Sequence, residues 1–69
     1  MIKVFVDKTF VAGNLKGIEI KDHHYLTITK QSLPKVSKEI ADDIANKRVY
    51  GTMYDSSKYI INRVVYEEA

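Results

Sequence analysis

Along residues 2–10 apolar and polar positions alternate. Ile2, Val4 and Val6 fall on one parity, and Lys3, Phe5, Asp7 and Thr9 on the other. A period of two marks a strand with one face turned to a core, and the β-branched and aromatic content suits a pleated surface. Phe5 interrupts the polar side, so that face is expected to be partly covered. The alternation resumes after a glycine-bearing stretch and predicts a second strand over about residues 18–30. There Ile18, Ile20, Leu26 and Ile28 share one face, and Glu19, Lys21, His23, Tyr25, Thr27 and Thr29 the other. His24 falls on the apolar parity; a β-bulge near Asp22-His23-His24 would resolve that conflict and bend the strand. Between the two strands, Gly13-Asn14 and Gly17 tolerate left-handed backbone angles, so residues 11–17 read as the reversal of a long hairpin. Leu15 is expected to fold inward as a plug, with Lys16 pointing to water.

The period then changes. Leu33, Val36, Ile40, Ala41 and Ile44 recur at three- and four-residue spacing and predict a helix over about residues 33–46. Ser32 is the expected N-cap, and Pro34 fits the first turn, where a missing N–H costs nothing. Asp43 and Lys47 stand four apart in the favourable order. Asn46 is the expected residue just beyond the helix, and Lys47-Arg48 complement its negative end.

Two more strands follow, over about 48–54 and 58–66, separated by a turn at Asp55-Ser56-Ser57. In the last one both parities carry apolar residues: Tyr59, Ile61 and Val65 on one, Ile60, Val64 and Tyr66 on the other. A strand apolar on both faces is central or covered by a partner. The element order is ββαββ. It predicts a single α+β domain over residues 1–69, with two layers: a twisted antiparallel sheet packed on one helix. The two hairpins can join through the edge of the first or the second strand; a continuous four-stranded sheet is preferred because it leaves only two edges to protect.

Composition bounds this picture without changing it. Sixty-nine residues make one domain, and 45% apolar residues argue against disorder. A chain this short buries only about 60% of the surface its unfolded form exposes. It has no cysteine, so no disulfide or thiolate site staples it. The apolar runs are too short for a signal peptide or a membrane-spanning helix, which makes a cytoplasmic location the expectation. Net charge is +2, and no segment is strongly polarised. The clustered basic footprint of dedicated duplex-DNA binders is missing from the sequence.

No residue pattern carries an expected catalytic, cofactor or metal role. Adjacent His23 and His24 point to opposite faces of a strand, and Asp22 adds one oxygen with no well-spaced third ligand. Ser32 is better read as a helix cap, and Ser56 and Ser57 as turn residues, than as nucleophiles beside a base. The carboxylate pairs Asp42-Asp43 and Glu67-Glu68 sit on a solvated helix face and in a tail, without the burial that raises a carboxyl pKa. Gly13 and Gly17 open no helix, so they form no phosphate loop.

The aromatic residues are more informative. Phe5, Tyr25, Tyr50 and Tyr54 fall on strand faces that also carry Lys3, Lys21 and Arg48. Such a mixture suits plain structure, with the ring buried and the hydroxyl wet. It also suits a protein-binding hot spot, or stacking of single-stranded bases. The candidate partner contacts are Lys16, Lys21, His23, Tyr25, Arg48, Tyr50, Tyr54 and Arg63.

Residues 3–22 carry Lys8-Thr9-Phe10 followed by Gly13, Leu15, Lys16 and Gly17. This stretch resembles a class of small phage and prophage proteins that show Val-x-Lys-Thr-Phe, then Gly-x-Leu-Lys-Gly, then a strand and a helix. The resemblance covers less than a third of the chain and transfers no catalytic residue. It implies a phage accessory product, acting in the host cytoplasm. The expectation is therefore a non-catalytic protein, with no cofactor and no membrane association. It would bind and inhibit a host protein, for example a defence component such as a CRISPR effector. The alternatives are a single-stranded nucleic-acid binder and a homo-oligomeric structural component; among partners, nucleic acid and a second copy in a homodimer stay open beside the host protein.

Overall fold

The two alternating stretches at the N-terminus form a hairpin that sets the length of the molecule. The computed structural model describes residues 1–52 and 56–68. Strand β1 runs Ile2–Ala12 and β2 runs Glu19–Ile28. Eleven residues at about 3.3 Å each span about 36 Å, and the longest dimension of the molecule is 36 Å. A 3-10 turn at Lys30–Ser32 leads into helix α1, Leu33–Ala45. Strand β3 is Tyr50–Gly51 and β4 is Lys58–Glu68. Among the described residues the third strand covers two positions of the stretch 48–54 that the alternation suggested, and Met53 lies outside them. Tyr54, and Asp55 of the expected turn, lie outside the described residues.

The sheet order is β2-β1-β4-β3, with every neighbouring pair antiparallel. The two hairpins join through β1, one of the two edges left open by the sequence. The strand apolar on both parities, β4, lies inside the sheet and pairs with β1 from Lys58 to Glu68. No helix among the described residues is long and apolar enough to cross a membrane.

The chain is α+β with one helix, but its sheet is not a flat layer of a two-layer stack. It curls into a half-barrel, and the register explains why. Val4 faces Leu26 while Phe5 faces His24, so Tyr25 is an extra residue in β2. A second irregularity falls at Asp22, which takes a left-handed φ of 54° and donates its N–H to the Asp7 carboxylate at 2.9 Å. On the other side of β1, Asp7 faces Arg63 and Lys8 faces Ile61, which leaves Asn62 extra in β4; Val11 is extra in β1. Each bulge adds twist and bends its strand, and four of them coil the sheet. The bulge expected near Asp22-His23-His24 is present. It places His24 against Phe5, with ring centroids 5.6 Å apart.

The core lies on the inner face of this curl. Ile2, Val4, Val6 and Phe10 of β1, Ile61 of β4 and Ile40 of α1 are buried. Each such side chain contributes about 1.5–3 kcal/mol on removal from water. Leu33, Val36 and Ile44 are half-buried beside Ile40, whereas Ala41 is exposed. Leu15 and Ile18 do not join the core; they are 38% and 47% exposed. Two successive turns, closed by Lys16 N–H to the Gly13 carbonyl (3.2 Å) and Ile18 N–H to the Leu15 carbonyl (3.0 Å), carry them outward. Leu15 is therefore no plug. Ser57, only 2% exposed, packs against Gly13 instead.

The helix ends also differ from expectation. Ser32 already has helical angles (φ −82°, ψ −14°), and its hydroxyl makes no capping bond. Thr29, in extended conformation, takes that role one turn earlier: its Oγ1 accepts from Ser32 N–H at 3.3 Å. At the other end Asn46 is the last half-helical residue, and Lys47 adopts φ 51°. Lys47 N–H donates to the Ile44 carbonyl (3.2 Å) and Arg48 N–H to the Asp43 carbonyl (2.9 Å). This pair of bonds is a Schellman closure with lysine where glycine is usual. It swings Arg48, rather than Lys47, to Asp43, at 3.6 Å.

A candidate binding surface of stacked tyrosines between two cations

The curl and the short third strand bring three aromatic rings into one row. Tyr50 of β3 faces Tyr59 of β4, and Tyr59 faces Phe10 of β1. Residues directly opposite in a ladder project to the same side, so the rings meet. Tyr50 and Tyr59 stack at 5.4 Å and 14°, and Phe10 meets Tyr59 edge-on at 5.8 Å. Both geometries suit the ring quadrupole.

Two cations lie over the row, one by Tyr59 and Phe10 and one by Tyr50. The Lys8 ammonium lies 4.5 Å from the Tyr59 centroid and 5.5 Å from that of Phe10. The Arg48 guanidinium lies 5.4 Å from the centroid of Tyr50. Contacts of this kind are worth about 0.5–1 kcal/mol where exposed. Asp43, in the last turn of α1, anchors the Arg48 end: it accepts the Tyr50 hydroxyl and pairs with Arg48.

The row is electrostatically tight. Burial raises the Tyr50 phenol well above its ordinary range, and the hydrogen bond to Asp43 and the charges of Tyr25 and Asp43 add to it, while Arg48 opposes. Burial also raises Tyr59, with Tyr25 again contributing. Tyr25, the extra residue of its bulge, thus lies within electrostatic reach of both stacked rings.

Of the residues singled out in the sequence, Tyr25, Arg48 and Tyr50 gather here. Lys16 sits exposed in the hairpin turn. Lys21 and His23 are exposed on the edge strand β2, with Lys21 3.8 Å from Glu19. Arg63 lies on the outer face, 3.7 Å from Asp7. Tyr54 is outside the described residues. Sequence reasoning missed Lys8, Phe10, Asp43 and Tyr59 as members. One signal was visible: Lys8 is a lone basic residue on the parity of Ile2, Val4, Val6 and Phe10. Its stem can lie along apolar surface while its charge stays wet.

Among the described residues no three His, Asp or Glu side chains converge in a metal-binding group, and no pocket encloses a small ligand. Phe10 is buried, and Tyr50 and Tyr59 are half-buried. Comparison with protein-family models, curated proteins and solved structures finds no match to the chain.

Proposed function

We propose that the chain is a non-catalytic binding protein of the phage accessory kind, which covers a surface of a host protein and so inhibits it. A defence component such as a CRISPR effector is its most concrete target. The observation that carries this reading is the tyrosine row held between Lys8 and Arg48. Tyr and Arg are the side chains enriched in interface hot spots. Here the rings are already stacked and the Tyr50 hydroxyl already bonded, so little side-chain freedom remains to be lost on association.

The test is affinity capture from host lysate with the wild-type chain and with Lys8→Glu/Arg48→Glu. The expected result is a stoichiometric protein retained by the wild type and lost by the double variant. Recovering no such protein across several hosts, or retaining it with the double variant, overturns the reading.

The same row favours one second reading. Stacked rings flanked by cations also suit unpaired bases of single-stranded nucleic acid. The net charge of +2 supplies little of the phosphate attraction that such binding draws on. A gel-shift series against single-stranded DNA and RNA separates the two. Binding that weakens steeply as salt rises, and fails in Tyr59→Ala, supports the nucleic-acid reading; no shift at low salt removes it.

A further inference from the structure

Strand β4 is eleven residues long, and β3 pairs with only its first two, Lys58 and Tyr59. From Ile60 to Glu68 the edge of β4 turned away from β1 carries no strand among the described residues. An open run of backbone donors and acceptors is a template for another strand. The other long edge, β2, is poorly suited: the bulges at Asp22 and Tyr25 break its register, and Lys21, Asp22, His23 and His24 stand exposed along it. Beyond the bulge at Asn62, β4 is regular, in unbroken register with β1 from Arg63 to Glu68.

We infer that this edge pairs with the same edge of a second copy, antiparallel across a two-fold axis at Val65. An isologous contact requires a self-complementary strand, and Arg63–Glu67 reads as one. Centred on Val65, the register sets Arg63 of one copy opposite Glu67 of the other, Val64 opposite Tyr66, and Val65 opposite itself. Arg63, Val65 and Glu67 share the outer face with their β1 neighbours Asp7, Phe5 and Lys3. Across the seam the outer face then reads Lys3, Glu67, Arg63, Asp7, alternating in sign between opposite strands. No other register over these residues sets both charges against opposite ones and keeps every side chain on its own face. Val64, Val65 and Tyr66 are half-buried in the single chain, and the contact covers them. The product is one sheet continuous across both half-barrels. This inference uses the sheet edge alone and stands apart from the tyrosine row.

The test is solution mass by light scattering over a dilution series, for the wild type, Arg63→Glu, Glu67→Arg and the double exchange. The expected result is a wild-type dimer. Each single exchange weakens it by about tenfold, because the two-fold repeats every pair; the double exchange re-forms the pair across the seam but opposes Lys3 and Asp7 within each chain, so it restores the dimer in part. Val65→Lys sets two like charges on the axis and is expected to yield a folded monomer, with folding checked by circular dichroism. A wild-type monomer at the highest soluble concentration overturns the inference. So does a dimer indifferent to Val65→Lys and to both single exchanges, since that dimer uses another surface.

Discussion

Gly13 lies against the backbone of Ser57 so closely that a Cβ at position 13 would come within 2.6 Å of the Ser57 Cα. The contact joins the end of the first hairpin to the start of β4. Gly13 has φ +86° and Gly17 φ +90°, so both backbones are left-handed, but Gly13 is packed, whereas among the described residues nothing lies within 4 Å of a Cβ at Gly17. The pair separates two costs. Gly17→Ala pays for backbone angle alone, about 1 kcal/mol. Gly13→Ala adds the clash and is expected to lose about 3 kcal/mol, a large part of a small domain's stability. Urea denaturation of the two variants side by side measures the difference, and equal losses would show that the Ser57 contact yields without strain.

That contact also marks where sequence reading succeeded and where it stopped. The glycines signalled a reversal, because left-handed angles are a local requirement. Leu15 was placed inward because it is apolar, but two tight turns face it to water, and the space beside Gly13 goes to Ser57, forty-four positions along the chain. The parity of Ile2, Val4 and Val6 was legible for the same local reason, as was the bulge, since His24 breaks the alternation within its own strand. The curl was not, because it depends on four bulges whose partners lie on different strands. Tyr50 and Tyr25 could be named as aromatic strand residues. That Tyr50 stacks on Tyr59, and Tyr59 lies under Lys8, depends on the β3–β4 and β1–β4 registers, which no local pattern encodes.

The C-terminus of α1 offers a gain in stability. Lys47 holds φ 51° in the Schellman closure, and its backbone bond to the Ile44 carbonyl does not need a side chain. Lys47→Gly removes the steric penalty of a left-handed L-residue and is expected to stabilise the fold by about 1 kcal/mol. A higher thermal midpoint with unchanged circular dichroism checks it. A fall would mean that the Lys47 side chain contributes more than its backbone angle costs.

Two tyrosine hydroxyls are expected to behave oppositely on removal. The Tyr50 hydroxyl donates to the Asp43 carboxylate, so Tyr50→Phe leaves a half-buried acceptor short of a donor and should cost about 1.5 kcal/mol. The Tyr66 hydroxyl is buried with no hydrogen-bond partner among the described residues. Tyr66→Phe removes an unsatisfied group at nearly constant volume and should be neutral or stabilising by up to about 1 kcal/mol. Chemical denaturation of both variants decides it; a clear loss in Tyr66→Phe would reveal a bond to that hydroxyl in solution.

Stability should fall at alkaline pH, and Tyr50 should lead the fall. Burial raises the phenols of Tyr50, Tyr59 and Tyr66 above their ordinary value of 10.0, and for Tyr50 the hydrogen bond to Asp43 adds to it. Below pH 10 the phenols are protonated in folded and unfolded chains alike, and their contribution is constant. Above it the unfolded chain releases these protons while the folded chain holds them. The folded state then binds more protons, and stability drops as pH rises. Unfolding free energy followed from neutral pH to about pH 12 should be flat with respect to these groups and then decline. In Tyr50→Phe the decline above pH 10 should be shallower, because the phenol with the largest shift is gone. An unchanged slope in that variant would mean that Asp43 and burial do not hold the Tyr50 proton in solution.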